Sequence, residues 1–303
     1  MVAQTTLVTR FRSLAEHPAV VTTFFLLPFL ALFVGFRVWP TVHAVVLSFQ
    51  DIEGVGSSEW TGLGNYQALA QDPQFYKALS NSALYAMGTL VLLIVIPFTL
   101  AAILHSGRVK NSHAFRTLLF LPVLTSLVVV GVVFQLILSP DGLVNAALSA
   151  FGLPKLAWLE SEYLALPALL ILATWRWVGL NILYFTTGLA NIPQELYDAA
   201  AVDGASGFRR FLHISLPLSK PIILFVMVLT LINGFQLFVE PFILWTGGES
   251  PGGGGLSIVV LLYRTAFTSF DLGYAAAIGV VLALIIMVIS VIQLRLFGFF
   301  KKE

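Results

Sequence analysis

Residues 80–104 read SNSALYAMGTLVLLIVIPFTLAAIL, with no charged side chain anywhere in the run. A helix rises ~1.5 Å per residue, so roughly 20 apolar residues cross a ~30 Å hydrocarbon core. This run is long enough. Comparable runs lie near residues 20–47, 117–138, 163–187, 221–245 and 273–297. Of the 303 residues 58% are hydrophobic and only 10% charged, where soluble domains carry about 25% charge. A chain so poor in charge cannot coat a water-exposed surface. The reading is all-α: a polytopic membrane protein with six transmembrane helices. Pro28 and Pro40 in the first run predict a kink, or an end near Trp39-Pro40.

Lys and Arg in the connections set the orientation. One set of segments holds Arg10, Arg12, Arg108, Lys110, Arg116, Arg209, Arg210, Lys220, Arg295, Lys301 and Lys302. The opposite set holds Lys77, Lys155 and Arg264 among many acids. Both termini are therefore expected in the cytoplasm, which agrees with an even number of spans. Residues 1–19 form an N-terminal cytoplasmic segment, and residues 20–303 the transmembrane domain. The stretch GLGNYQALAQDPQFYKALSNS (62–82) predicts a turn followed by an interfacial helix entering the second span. TGGESPGGGG (246–255) has no Gly-Lys-Ser/Thr after it and no strand before it. It reads as a flexible exposed loop and not a phosphate cradle. A net charge of +1 leaves no footprint for nucleic acid, and zero cysteines exclude disulfides and thiolate sites. His43, His105, His113 and His213 lack metal-ligand spacing, so no metal is expected.

The loop at 190–221 is the elaborate one on the expected cytoplasmic side. NIPQELYDAAAVDGASGFRRFLHISLP (191–217) predicts a helix from Gln194 to Val202 with an acid in its first turn, favourable to the helix dipole. Asp203-Gly204 should break that helix, since glycine tolerates φ > 0 and aspartate can cap the next helix. A second helix from about Ser206 places Phe208, Phe211, Leu212, Ile214 and Leu216 at helical spacing. Small side chains at Ala199, Ala200 and Ala201 suit insertion into a groove on another protein.

This segment resembles the EAA motif of type I ABC importer permeases, in the carbohydrate-uptake branch. The motif stands here as Asp198-Ala199-Ala200, Ala201-Val202, Asp203-Gly204-Ala205, with Ile214-Ser215-Leu216-Pro217 at the far end. Asp198 stands where the family usually has glutamate, keeping the charge and shortening the reach. GLANIPQELY (188–197), PLSKP (217–221), GLGNY (62–66), LWTGGES (244–250), YRTAF (263–267) and FDLGYAAAIG (270–279) extend the resemblance over nearly the whole chain. It is nearest to the larger of the two permeases in maltose- and trehalose-type systems. The resemblance implies a bacterial inner-membrane subunit paired with a second related permease. It further implies a cytoplasmic ATPase dimer and an extracytoplasmic substrate-binding protein or lipoprotein. Asp198, Ala199, Ala200, Asp203, Gly204 and Ala205 would then couple to the ATPase. The chain itself has no G-x-x-x-x-G-K-[ST], so ATP and Mg would be bound by that partner, and no cofactor by this chain.

Polar groups inside spans are functional candidates. Trp175, Arg176 and Asn181 lie in ATWRWVGLN (173–181), and Asn233, Gln236 and Glu240 in LINGFQLFVEPF (231–242). In a continuous helix the last three would share one face. Amides interleaved with aromatic rings suit a sugar, whose ring faces stack while its hydroxyls need donors and acceptors. Asn233, Gln236, Trp175, Arg176 and Asn181 are assigned to a substrate pathway, and Glu240 to gating or structure. Arg176 pairing with Glu240 as interhelical glue is the competing assignment. The expected substrate is a di- or oligosaccharide. The alternatives are glycerol-3-phosphate or a polyol, or an ion-coupled secondary carrier.

Overall fold

Backbone polar groups in hydrocarbon must be satisfied within the protein, so each interruption of a spanning helix needs a visible remedy. Where the spans break, and what repairs them, organises this molecule. The computed structural model describes residues 18–52, 58–107 and 109–297. Nearly all of the expected segment 1–19 lies outside them, as do Arg108, Lys301 and Lys302.

The first span is α1 (Pro18–Phe33), a π-wound segment (Val34–Val38) and α2 (Trp39–Leu47). It neither stops nor kinks sharply at Pro40, contrary to the sequence expectation; Thr22–Leu47 is one apolar helix. The widened turn before Pro40 accommodates the missing N–H, and Thr41 Oγ1 donates to the Arg37 carbonyl at 2.7 Å. A two-residue hairpin, β1 (Gln50–Asp51) with β2 (Glu59–Trp60), and α3 (Gly64–Leu69) lead to α4 (Pro73–His105). Asp72 caps α4 by accepting from Gln74 N, with Pro73 at the first helical position.

The third run is not a continuous span. α5 (Ser112–Phe120) and a 3-10 turn (Leu121–Leu124) meet α6 (Leu127–Ile137) at a 99° bend. Pro122 supplies no N–H, and Thr125 is extended with ψ 145°. Among the described residues five helices are long and apolar enough to cross a membrane, or six if this bent pair counts as one span. α7 (Leu143–Ala150) precedes α8 (Glu162–Ala190). α4 packs chiefly on α8 and then on α12 (Lys220–Phe235). Gly179 lets α8 lie against the bent segment, since a Cβ there would collide with the Leu119 carbonyl.

Between α8 and α12 come α9 (Gln194–Val202), α10 (Gly207–Arg210), a π-wound segment (Phe211–Ser215) and α11 (Leu216–Leu218). The fifth span is broken as well. α12 ends at Phe235, and α13 (Val239–Leu244) begins only after an irregular Gln236–Phe238. Beyond it α14 (Ile258–Phe267) packs on the last span, α15 (Leu272–Leu296).

The face opposite the 191–219 loop is tightly laced. Asn81 Nδ2 donates to the Gly253 and Leu256 carbonyls at 2.8 and 3.0 Å, and Trp245 Nε1 to the Leu159 carbonyl at 2.8 Å. Tyr274 Oη donates to Asp72 at 2.7 Å. On the same face Lys155 Nζ donates to Asp141 at 2.6 Å and holds that exposed carboxyl below its usual range. The 246–255 stretch, expected as an exposed loop, is exposed only in part, at Thr246, Glu249 and Gly252. Gly248, Ser250, Gly254 and Gly255 are buried, and Ser250 Oγ accepts from Gly255 N at 2.7 Å. Its glycines serve close packing, which composition alone cannot distinguish from mobility.

Candidate coupling loop and substrate pathway

The 191–219 loop is built from local rules. α9 closes with paired bonds, Ala205 N to the Ala200 carbonyl at 2.8 Å and Gly204 N to the Ala201 carbonyl at 3.0 Å. Gly204 has φ +75°, the left-handed position such a helix ending requires. The cap of α10 is Ser206, whose Oγ accepts from Arg209 N at 3.3 Å; Asp203 does not fill that role. Tyr197 and Ser215 hydroxyls lie 2.9 Å apart and tie the two arms together. Phe211 and Ile214 dock on a buried cluster with Phe98, Phe185 and Leu189 from the ends of α4 and α8. Phe208, expected on the packed face, is 71% exposed. The tip itself touches little. Asp198, Ala199, Asp203 and Gly204 are exposed, Val202 is 88% exposed, and a Cβ on Gly204 would meet nothing within 4 Å. Among the described residues Asp198 Oδ1 accepts only from Gln194 Nε2, at 3.1 Å.

Within the spans, side chains repair broken backbone. Proline lacks the N–H that would satisfy the carbonyl four residues earlier. For Pro97 that carbonyl is Leu93, and Asn181 Nδ2 donates to it at 3.2 Å. For Pro241 it is Leu237, which accepts from Ser257 Oγ at 2.5 Å. At the bend of the third span, the Thr125 carbonyl accepts from Arg176 Nη1 at 2.9 Å. Gln135 Nε2 does the same for the Ile243 carbonyl at 2.7 Å, near the end of α13. Among the described residues no ion pair joins Arg176 to Glu240, so the glue assignment fails in that form. Arg176 instead lies over the Trp177 ring at 5.2 Å.

A pocket of about 270 Å³ lies between α4, α8 and the break in the fifth span. It brings together Asn181, Asn233, Gln236 and Glu240 although α12 ends at Phe235, before Gln236 and Glu240. The expectation of one shared helical face is corrected here: the unwound Gln236–Phe238 segment, not helical spacing, turns Glu240 inward. Among the described residues the side-chain amides of Asn233 and Gln236, both exposed, hydrogen-bond to no protein group, and Glu240 is buried without an ion pair. Arg176 does not itself line the pocket; it backs Trp177, which does. Trp175 points elsewhere, 43% exposed and tilted on Phe134 at 5.4 Å. Tyr85, Thr89, Tyr184 and Thr230 complete the wall and escaped the sequence reading. Tyr85 and Thr89 occupy positions i and i+4 of one face of α4, the only sequence signal that could have placed them.

A broken-span membrane core of this kind with an exposed helix–turn–helix agrees with a specific family. The model for binding-protein-dependent transport system inner membrane components matches residues 99–301. This chain belongs to that family. The permease is 42% identical over 281 residues to the arabinooligosaccharides transport system permease protein AraP of Bacillus subtilis (strain 168), covering 92% of this chain and 89% of that one. It is 32% identical over 272 residues to the lactose transport system permease protein LacF of Rhizobium radiobacter, covering 89% and 91%. Its fold matches a chain from a bacterial alginate ABC transporter in complex with alginate pentasaccharide-bound periplasmic protein, with TM-score 0.81 at 24% identity over 93% and 95% of the two chains. The permease is thus an inner-membrane, multi-pass and non-catalytic component of an ABC importer.

Proposed function

We propose that this permease forms, with a second related permease, the translocation pathway of an ATP-driven importer for neutral di- or oligosaccharides. A cytoplasmic ATPase dimer, carrying the ATP and Mg, docks on Asp198–Ala205, and an extracytoplasmic binding protein or lipoprotein delivers the sugar to the opposite face. Both termini then lie in the cytoplasm. The pocket carries this reading: Asn233 and Gln236 present unused amides beside Trp177 and Tyr184. Rings stack on aromatic faces and hydroxyls exchange bonds with amides, so the sugar is held weakly enough to pass. At about 270 Å³ the pocket falls just below the usual ~300–1,000 Å³ of small-molecule sites, as expected if the second permease supplies the other wall.

Its charge favours neutral sugar over glycerol-3-phosphate. Among the described residues no Lys or Arg lines the pocket, while Glu240 does. A phosphate dianion there would meet a buried carboxylate and, among the described residues, no cation in the pocket wall. The sugar relatives agree with this preference. The assembled importer, reconstituted in vesicles with its binding protein, should take up labelled arabino-oligosaccharide or lactose only when ATP is supplied to the loop side. Uptake confined to glycerol-3-phosphate, or uptake without ATP, overturns the reading.

A further inference from the structure

A second cavity, about 510 Å³, lies between the 191–219 loop and the end of α4, and transport through the first pocket makes no use of it. Its two walls differ in chemistry. On the loop side stand Tyr197, Phe211 and Arg210. The Arg210 Nε is sealed from solvent, yet among the described residues it has no hydrogen-bond partner and Arg210 forms no ion pair. No carboxylate among the described residues lines the cavity. Arg210 is half-buried, and its sealed Nε–H lacks the acceptor that a buried donor normally has. On the other side α4 contributes Thr99 and Ile103, both exposed, with His105 and Ser106 at the helix end nearest the loop. Val91 and Val95 continue the same stripe upward at four-residue spacing, also exposed. The cavity therefore adjoins an apolar stripe of the second span at one end and the Arg210 guanidinium of the loop at the other.

We propose that this cavity holds the anionic headgroup of a phospholipid, with an acyl chain along Val91, Val95, Thr99 and Ile103. A free phosphate would engage Arg210 and leave the apolar half unexplained, whereas an amphiphile uses both halves. Basic pockets between helices at the membrane face take anionic headgroups in this way. A lipid so seated braces the loop against α4, because Arg210 belongs to the one and the track to the other. The leaflet concerned is the cytoplasmic one, which rests on the proposed side of the loop.

The test uses the whole importer in phosphatidylcholine nanodiscs doped with photoactivatable phosphatidylglycerol. Label should map to peptides spanning 99–106 and 208–211. Arg210→Gln should lower it roughly tenfold, the effect of losing one charge-assisted bond. Millimolar inorganic phosphate should not compete. If Arg210→Gln prevents assembly, Ile103→Trp fills the apolar half and should lower the label likewise. Four results overturn the proposal: equal labelling by photoactivatable phosphatidylcholine, full labelling of the variant that assembles, displacement by phosphate, or label that appears only after the ATPase is stripped away. Sugar uptake and ATPase capture are measured on the same preparation. Loss of those with labelling retained would refute the transport reading and leave the lipid site standing.

Discussion

The tip of the 191–219 loop and the belt of broken spans are built on opposite rules. At the tip the bonds are local, within α9 and its turn, and Asp198, Ala199, Ala201 and Asp203 are exposed, while Ala200 and Ala205 are half-buried. In the belt, Asn181, Arg176, Ser257 and Gln135 each reach another element to satisfy a carbonyl freed by a proline, a bend or a helix end. The contrast sharpens how an intramembrane polar residue is read. Arg176 and Asn181 have backbone work, although Asn181 also lines the pocket. Asn233 and Gln236 have none, and they are the groups left for a passing substrate.

If that division is right, stability and transport should respond in opposite order. The largest loss of stability is expected for Arg176→Met, about 2 kcal/mol, because the Thr125 carbonyl loses a charged donor. Denaturant titration of the purified complex measures it. A changed sugar preference with unchanged stability would place Arg176 in the pathway instead.

Asn181→Leu should cost about 1.5 kcal/mol, near the upper end for a bond between membrane helices. The cause can be isolated. In a Pro97→Ala background the restored N–H takes over the Leu93 carbonyl, so the Asn181 penalty should largely vanish. Additive penalties in this double-mutant cycle would show that Asn181 does something other than repair the proline.

Gly204→Asp forces a side chain into φ +75° and should cost about 1 kcal/mol or slightly more, with no clash inside this chain. Its effect on uptake should be far greater, with ATPase capture lost while membrane insertion stays near normal. A variant that keeps both uptake and the ATPase removes the tip from coupling.

Asn233→Ala and Gln236→Ala should change stability least, within about 0.5 kcal/mol, because neither side chain bonds to protein among the described residues. Uptake of a sugar panel should nevertheless fall or shift in preference, with basal ATP hydrolysis preserved. Reduced complex yield with unaltered preference would move both residues to the repair class.

Much of this was readable in one dimension, wherever the determining interactions are short in sequence. The apolar runs, the α9 helix over Gln194–Val202 and the turn at Gly204 arise from helical rise, glycine's access to positive φ and bonds between near neighbours. The same local logic misjudged part of 246–255, where Gly248, Gly254 and Gly255 are buried and Gly254 lies against the Glu162 backbone, 92 residues away in the chain. It also missed Ser206 as the cap, because Asp203 and Ser206 are equally good candidates until the turn geometry selects one.

The sequence by itself determined the helical class, the number of apolar runs and the existence and form of the loop, since periodicity, length and turn chemistry fix these within a few residues of each position. Only the tertiary structure decided where the third and fifth spans break, that Trp175 turns away from the pocket, and that Glu240 turns into it. Those outcomes hang on donors that meet their carbonyls across large separations, 51 residues for Arg176 to Thr125 and 88 for Asn181 to Leu93. A proline announces that a carbonyl will be left unsatisfied; which distant side chain satisfies it is settled only when the helices pack.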